Sequence, residues 1–289
     1  MKLGLVIASH DRPEVLQRLL EALVSQRRIP DTIVISAVSP ADIPPISQSL
    51  SNVQTVFGRA GLTRQRNRGM SGLINTMDLI IFIDDDFIVG DDYFLNMESI
   101  FAQDDSIIGM SGNVIADGAN SSGFTFEQGL QLAELYQKQE HWWVCETGCT
   151  YGCNMAFRTA AIGSLRFDER LPLYGWQEDS DFCGALRGSG RIVWTNRVWG
   201  VHLGTKHGKG SEIRLGYSQI INPAYIVRKG NMSFGVAFRL MAWNLLANLV
   251  GSIRPESYID RRARLRGNLI GVFHLLTGRL TPERVLKLK

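Results

Sequence analysis

The chain has 289 residues, of which 45% are hydrophobic and 20% charged, the composition of an ordinary globular protein with a sizeable core. Its formal net charge of +3 argues against a nucleic-acid-binding protein, which needs a broad basic face. The apolar segment 234–250 contains Arg239, Asn244 and Asn248, which are costly in lipid, so we predict no transmembrane helix. The N-terminal apolar run is too short for a signal peptide, and we expect a cytoplasmic protein with free thiols.

Strands and helices alternate in the first half of the sequence. A strand at 3–8 precedes a helix, for which Asp11 is a suitable N-cap and Pro13 a suitable first-turn residue. Another helix, over 67–75, leads to an apolar strand that ends at Ile83. Two further strands are predicted between these helices, at residues 32–36 and 53–57. The alternation predicts an α/β fold with a mostly parallel, doubly wound sheet.

The second half of the sequence is less regular up to about residue 211. Its predicted strands are residues 107–114, 152–158, 191–194 and 197–201, and its predicted helices cover residues 126–139 and part of 171–188. From residue 211 onward the apolar pattern is mostly helical. We therefore predict a catalytic α/β domain over residues 1–210 and a helical region over residues 211–289.

Three adjacent carboxylates, Asp84, Asp85 and Asp86, follow the buried strand that ends at Ile83. The carboxyl ends of parallel strands form the edge at which open α/β folds bind ligands. Carboxylates this close repel one another, and water or a divalent cation must neutralise them. The triplet alone is therefore equally compatible with a solvated acidic turn and with a metal site.

Other segments narrow the chemistry. Arginines at 59, 64, 66 and 68 suit phosphate or a nucleobase, and the segment GWQEDSDF at 175–182 supplies carboxylates that could deprotonate a hydroxyl group. A divalent cation held by the aspartates would suit a diphosphate. Together these residues predict transfer of a group from a nucleoside diphosphate.

Several short motifs carry a resemblance to a known family. They are SHDRP at 9–13, RQRNRG at 64–69, Asp84-x-Asp86, GCNMAFR at 152–158 and GWQEDSDF at 175–182. In order and spacing they resemble those of inverting family 2 glycosyltransferases with the glycosyltransferase A fold, over about residues 1–205. The last motif also resembles an element of galactosyltransferase-like enzymes. One departure is the sequence SAVS at 36–39, where relatives often have an acidic residue that binds the base, so the base stays undetermined.

The resemblance implies roles for individual residues on the donor side. Asp86 would bind the metal, Mn²⁺ or Mg²⁺, while Asp84 would hold the ribose or a metal-bound water, and His202 would complete the metal site. The nucleotide would be surrounded by Ser9, Asp11 and Arg66. The donor implied is a nucleotide sugar, most commonly a UDP-sugar.

On the acceptor side, the resemblance implies that Asp179 is the general base, with Glu178 beside it. Trp176 would offer an apolar face to a sugar ring. The acceptor would be a saccharide or a lipid-linked saccharide, as in bacterial-type polysaccharide or glycolipid assembly. A loop over residues 204–210, with Lys206 and Lys209, would close over the diphosphate.

Alternatives to these roles stay open. Glu178 and Asp179 could begin a helix, where carboxylates favour the dipole, and His202 could be a structural hydrogen-bond donor. The whole chain could be a nucleotidyltransferase, although that class has a glycine-rich, lysine-containing segment after its first strand. It could also be a non-catalytic nucleotide-sugar-binding module.

The helical region is strongly basic. Five arginines between residues 254 and 266 lie beside two apolar segments. Basic amphipathic helices of this kind can lie on an anionic membrane, here at its inner face. A soluble helical subdomain with a charged surface is the alternative.

Overall fold

The computed structural model describes residues 1–136, 141–205, 211–254 and 256–288. It forms two compact units, the first made of Met1–Ala60, Arg64–Arg166 and Leu186–Gly208. The second unit is made of Gly61–Thr63, Phe167–Ala185 and Lys209–Lys289. Its last piece begins close to the predicted boundary at residue 210, but the unit also includes the segment with the GWQEDSDF motif.

A mixed sheet forms the first unit. Its strands are β1 (Leu3–Ala8), β2 (Thr32–Ala37), β3 (Val53–Phe57), β4 (Leu79–Asp84), β5 (Phe87–Val89), β6 (Ile107–Asp117), β7 (Val144–Glu146), β8 (Asn154–Arg158) and β9 (Arg191–His202). Their order is β3-β2-β1-β4-β8-β6-β9-β5, with β7 paired to β9. The strands β1 to β4 run parallel, as do β6 and β9. Strand β8 runs antiparallel between β4 and β6, which the sequence prediction did not include.

The helices of the chain are α1 (Pro13–Val24), α2 (Leu62–Ser71), α3 (Tyr93–Gln103), α4 (Phe126–Leu135), α5 (Thr159–Ile162), α6 (Glu178–Ala185), α7 (Glu212–Lys229), α8 (Phe234–Ile253) and α9 (Arg261–Leu276). The apolar stripe of α1 lies in the main core, where Leu16, Leu19, Leu20 and Leu23 are buried with residues of β1, β4 and α3. This core holds the sheet in place, so the ends of its central strands are fixed positions.

Several predicted boundaries are wrong. Helix α1 has Arg12 and not Asp11 as its N-cap, because Asp11 adopts a left-handed backbone conformation with φ 58°. Helix α2 begins at Leu62, five residues before the predicted start, because its first turns contain arginine and glutamine, which are good helix formers. The two strands predicted between 191 and 201 are one continuous strand, β9, whose pairing with β6 contains register shifts.

In the second unit, helices α7 and α9 pack closely because glycines face the contact. A Cβ atom added at Gly216 would lie 2.0 Å from the Arg264 carbonyl oxygen, and one at Gly267 would lie 2.1 Å from that of Ile213. Helix α8 contains the segment for which the sequence analysis predicted no transmembrane helix. It has 20 residues and a mean hydropathy of 1.4, which is long and apolar enough to cross a membrane, and only 11% of its apolar window is buried.

Candidate active site

The acidic triplet lies at the carboxyl edge of the sheet, as predicted. Asp84 is the last residue of β4, Asp85 and Asp86 form a turn, and β5 then returns antiparallel to β9. His202 is the last residue of β9 and pairs with Phe87 in this register. The fold therefore brings together side chains that are more than a hundred residues apart in sequence.

Asp84, Asp86 and His202 form the cluster that the resemblance implies. Each offers one ligand atom, and these atoms all lie within 4.8 Å of one another. The Nε2 atom of His202 lies 3.5 Å from Oδ1 of Asp86, and the backbone N–H of Thr205 donates to Oδ2 of Asp86 at 2.7 Å. Asp86 and His202 are buried, while Asp84 is half-buried. Carboxylate oxygens with one imidazole are a suitable donor set for Mn²⁺ or Mg²⁺, so the residues fit the metal.

A fourth residue, Asp117 at the end of β6, orients His202 and was missed by the sequence analysis. Its Oδ1 atom lies 2.8 Å from Nδ1 of His202, and its Oδ2 atom accepts a hydrogen bond from the Tyr151 hydroxyl at 2.7 Å. Because Nδ1 is engaged, Nε2 is the nitrogen that is directed toward Asp86. Asp117 lies at a strand end like Asp84, but the predicted strand ended at residue 114.

Glycines allow this close arrangement. A Cβ atom at Gly118 would lie 2.0 Å from the Leu203 carbonyl oxygen, and one at Gly204 would lie 2.1 Å from the Gly118 carbonyl carbon. Gly204 also has φ 66°, a conformation that other residues rarely adopt. The chain segments after β6 and β9 can therefore touch, which keeps Asp117 beside His202.

The charges in the cluster are strongly coupled. Burial favours neutral imidazole, but the hydrogen bonds to Asp117 and Asp86 and the nearby charge of Asp84 raise the pKa of His202 to about 10. For Asp117, burial opposes ionisation, yet the hydrogen bonds from His202 and from the Ala119 backbone lower its pKa to about 2. The surrounding carboxylates therefore favour the protonated form of His202.

Asp85 has a different environment from its neighbours. Its side chain is buried, accepts a hydrogen bond from the Ser9 hydroxyl at 2.7 Å and lies 2.7 Å from Nη2 of Arg12. Burial raises the pKa of Asp85 to about 7, against the opposing charge of Arg12. Asp85 thus ties the turn to the segment after β1. Ser9 is itself buried, and its role near a nucleotide stays a prediction.

Arg66 and Arg68 both contact the sheet edge. Arg66 is 2% exposed, and its Nη2 atom lies 3.0 Å from Oδ1 of Asp84 and 2.8 Å from the Gly152 carbonyl oxygen. Arg68 donates from Nε to the Ser36 hydroxyl at 3.1 Å. Arg66 is therefore placed to orient Asp84, and a contact of Arg66 with the nucleotide stays a prediction.

The segment after β2 contains an acidic residue that the sequence analysis overlooked. Asp42 is buried and accepts hydrogen bonds from the backbone N–H groups of Val38, Ser39 and Asp11. These bonds lower the pKa of Asp42 against the effect of burial. Asp11 is exposed and lies at the start of this network through its backbone, while its predicted role at the nucleotide is untested.

The predicted catalytic segment lies in the second unit. Glu178 is buried at the start of α6, Asp179 is half-buried, and the Trp176 carbonyl oxygen accepts a hydrogen bond from Asn222 at 2.9 Å. Asp181 binds Nζ of Lys229 at 2.5 Å. Asp181 is thus a structural residue of the motif, and the roles of the other three stay predictions.

The backbone before α6 is strained. Leu173 and Gln177 have φ 61° and 72°, and Gly175 between them has φ 65°. Non-glycine residues rarely adopt positive φ angles, and such strain often occurs at functional sites. The strain is compatible with a catalytic role for this segment. The predicted loop residues Lys206 and Lys209 lie outside the described residues.

Comparisons with known proteins identify the fold. No family model matches the sequence, and no curated protein matches it. The structure resembles S. aureus TarS in complex with UDP-GlcNAc, with a TM-score of 0.56, 13% identity, and coverage of 99% of this chain and 83% of that one. It also resembles GalNAc-T7 with UDP, GalNAc and Mn²⁺, with a TM-score of 0.56, 12% identity, and coverage of 99% and 56%. The predicted glycosyltransferase A-type fold is confirmed.

Proposed function

We propose that this protein is a metal-dependent, inverting glycosyltransferase that transfers a sugar from a nucleoside-diphosphate donor to a hydroxyl group. The observation that carries the proposal is the cluster of Asp84, Asp86 and His202 at the carboxyl edge of the sheet, where open α/β folds bind ligands. A divalent cation, when bound there, neutralises the negative charge of the diphosphate. The two neighbours solved with UDP or a UDP-sugar support a uridine donor for this fold.

The chain's own residues prepare the site. Arg66 orients Asp84, Asp117 orients His202, and the Thr205 N–H group orients Asp86. Each ligand is thus held by a second hydrogen-bonding group, which reduces the reorganisation that binding requires. Such support is not needed by a solvated acidic turn, in which carboxylates contact water.

The proposed chemistry is a single displacement at the anomeric carbon. Asp179 takes the proton of the acceptor hydroxyl, whose oxygen attacks the sugar as the bond to the diphosphate breaks. Glu178 supports Asp179, and Trp176 offers an apolar face to the sugar ring. The product has the opposite anomeric configuration, because attack occurs from the side opposite the leaving group.

The proposed acceptor is a saccharide or a lipid-linked saccharide in polysaccharide or glycolipid assembly, and the proposed location is the cytoplasm, with peripheral contact to the inner face of the membrane. The basic, apolar surface of α8 and α9 supports the membrane contact.

A panel of nucleotide sugars tests the proposal. The thermal unfolding temperature of the full chain should rise when one of the donors is added, and it should rise further with Mn²⁺ present. Ligands that bind only the folded state stabilise that state. The same donor should be hydrolysed slowly to free sugar and nucleoside diphosphate. Stabilisation without any hydrolysis or transfer would indicate a non-catalytic binding module, and release of pyrophosphate from a nucleoside triphosphate and a sugar phosphate would indicate a nucleotidyltransferase.

A further inference from the structure

Helix α8 exposes large apolar side chains along most of its length. Trp243 is 71% exposed and Ile253 is 76% exposed. The other exposed apolar side chains of this face are Phe234, Val236, Phe238, Leu246, Leu249 and Val250. Single exposed apolar residues are common, but a contiguous face of this kind marks a site of interaction with a partner or a membrane.

The buried side of the same helix is only partly apolar, since Ala237 packs with Tyr225 and Ile226 while Asn248 lies among polar side chains. Asn248 is 0% exposed, and its Nδ2 atom donates to Gln219 at 2.9 Å and to Asn268 at 2.8 Å. Asn244 lies half-buried and donates to the Leu240 carbonyl oxygen. In a surface helix of a water-soluble domain the apolar side faces the core. Helix α8 has a wide apolar side that faces outward as well, which suits an apolar medium outside the protein.

Helix α9 continues the exposed face. Its outward residues follow helical spacing and are Arg262, Arg266, Leu269, Phe273 and Leu276, all of them exposed. The two helices run antiparallel, since Asn248 contacts Asn268 and Arg262 donates to the Ser252 carbonyl oxygen. The arginines therefore lie near the turn between the helices, and Phe273 and Leu276 lie farther from it.

The charged residues of this region are mostly positive. Residues 233–280 contain seven arginines, no lysine and two carboxylates, Glu256 and Asp260. Glu256 pairs with Arg261, while Arg239, Arg254, Arg262 and Arg266 are exposed. An apolar face bordered by arginine and containing tryptophan matches the interface of an anionic bilayer, where rings and acyl chains meet below phosphate groups.

We propose that the outward face of α8 and α9 is a docking surface for an anionic lipid bilayer, on which the two helices lie at the level of the headgroups and upper acyl chains. Arg239 lies in the middle of the apolar arc of α8 and favours lying on the bilayer over crossing it, because a guanidinium group is costly at the bilayer centre. This proposal rests on the surface alone and does not depend on the transfer reaction.

Vesicle flotation with the purified full chain tests it. The chain should float with vesicles that contain phosphatidylglycerol and much less with pure phosphatidylcholine. Raising the salt from 0.1 to 1 M should weaken binding, because the screening length falls from about 10 to about 3 Å. The double variant Arg262→Gln and Arg266→Gln should bind about 30-fold more weakly, at about fivefold per arginine.

Replacing exposed apolar residues by serine tests the contribution of the apolar side chains to vesicle binding. The variant Trp243→Ser should reduce vesicle binding about 30-fold, because one large side chain no longer enters the acyl region. Leu135→Ser, at a residue of α4 that is 78% exposed, is the matched control and should bind normally. Both substitutions are at exposed sites, so the thermal unfolding temperature of each variant should equal that of the parent. This measurement also shows that each variant is folded.

Four results would overturn the proposal. The first is that the chain floats with neither type of vesicle, and the second is that Trp243→Ser binds as the parent does. The third is a dimer, seen by light scattering, that dissociates in Trp243→Ser, which would assign this face to a second copy. Resistance to extraction from membranes by alkaline carbonate would instead show that α8 crosses the bilayer, and that result would also contradict docking. Loss of transferase activity without loss of vesicle binding would concern only the proposed function.

Discussion

The two units depart from the usual arrangement of a soluble protein in opposite ways. The first unit buries charge, because Asp85, Asp86 and His202 lie inside the protein at the carboxyl edge of its sheet. The second unit exposes apolar surface, because α8 turns its tryptophan and phenylalanine side chains outward and its asparagine side chain inward. Both arrangements cost free energy in the isolated protein. We infer that each marks a surface for a different partner, a phosphorylated ligand with its cation in one unit and a lipid bilayer in the other.

The largest effect should come from the buried carboxylate. Asp86→Asn should lower transferase activity by about 10³-fold or more, because the site loses a charged ligand and several kcal/mol of stabilisation at the diphosphate. Mn²⁺ binding, measured by calorimetry, should be lost as well, while vesicle binding should not change. Asp105→Asn is the control, since the Asp105 side chain is 99% exposed. Normal Mn²⁺ binding by Asp86→Asn would remove the cluster from the proposed site.

The second unit also contains the proposed general base, Asp179. Asp179→Asn should lower the transfer rate by about 10²- to 10⁴-fold, the usual contribution of a general base, and should leave donor binding unchanged. Asp181→Asn is an informative contrast, since Asp181 binds Lys229 and Asn231. It should lower thermal stability more than the rate per folded molecule. Near-normal turnover of Asp179→Asn would exclude its role as base.

Replacement of Asp117, the carboxylate that orients His202, should have a smaller effect. Asp117→Asn should weaken Mn²⁺ binding by about 10- to 100-fold, as is usual when the partner of a ligating histidine is removed. A merely structural role would lower stability without changing metal affinity, so calorimetric titration with Mn²⁺ and thermal unfolding should be measured on the same sample. Tyr151→Phe removes one hydrogen bond to Asp117 and should change the affinity less.

The pH dependence of metal binding sharpens the account of buried charge. Burial favours the neutral imidazole, but the hydrogen bonds to Asp117 and Asp86 raise the pKa of His202 to about 10, so we expect a cation to displace a proton from the imidazole. Mn²⁺ affinity should therefore rise with pH, by about tenfold per unit at most, and binding should release a proton to the buffer. His202→Gln should bind more weakly and with a flatter profile. If the Mn²⁺ affinity of His202→Gln still changes with pH near pH 7, we assign that change to Asp85, because burial raises the pKa of Asp85 to about 7.

Sequence patterns predicted those parts of the site that depend only on residues close to one another in the sequence. The strand before Asp84 is a continuous apolar run, and a run of that kind places the residues that follow it at a sheet edge whatever the rest of the chain does. The same reasoning accounts for the helix predicted after the first strand, whose leucines follow helical spacing and are buried. It failed at Asp11, where the turn conformation is set by contacts with another segment, such as the bond from the Asp11 N–H group to Asp42.

The resemblance separated Asp84 and Asp86 from Asp85, but the protein groups that hold each aspartate could not be predicted, because they lie far away in the sequence. Asp84 lies against Arg66, Asp85 is buried with Ser9 and Arg12, and Asp86 faces His202. Asp117 gave no signal by itself, since its importance comes from the pairing of β6 with β9.

The sequence by itself determined the α/β class, the acidic strand end and the basic, apolar character of the helical region, because apolar periodicity and charge are properties of the chain alone. Only the tertiary structure decided that Asp117 joins the cluster around His202, which aspartate is buried as a structural anchor, and which side of α8 faces outward. Burial and hydrogen-bond partners are properties of packed neighbours, and packing brings together residues that the sequence keeps apart.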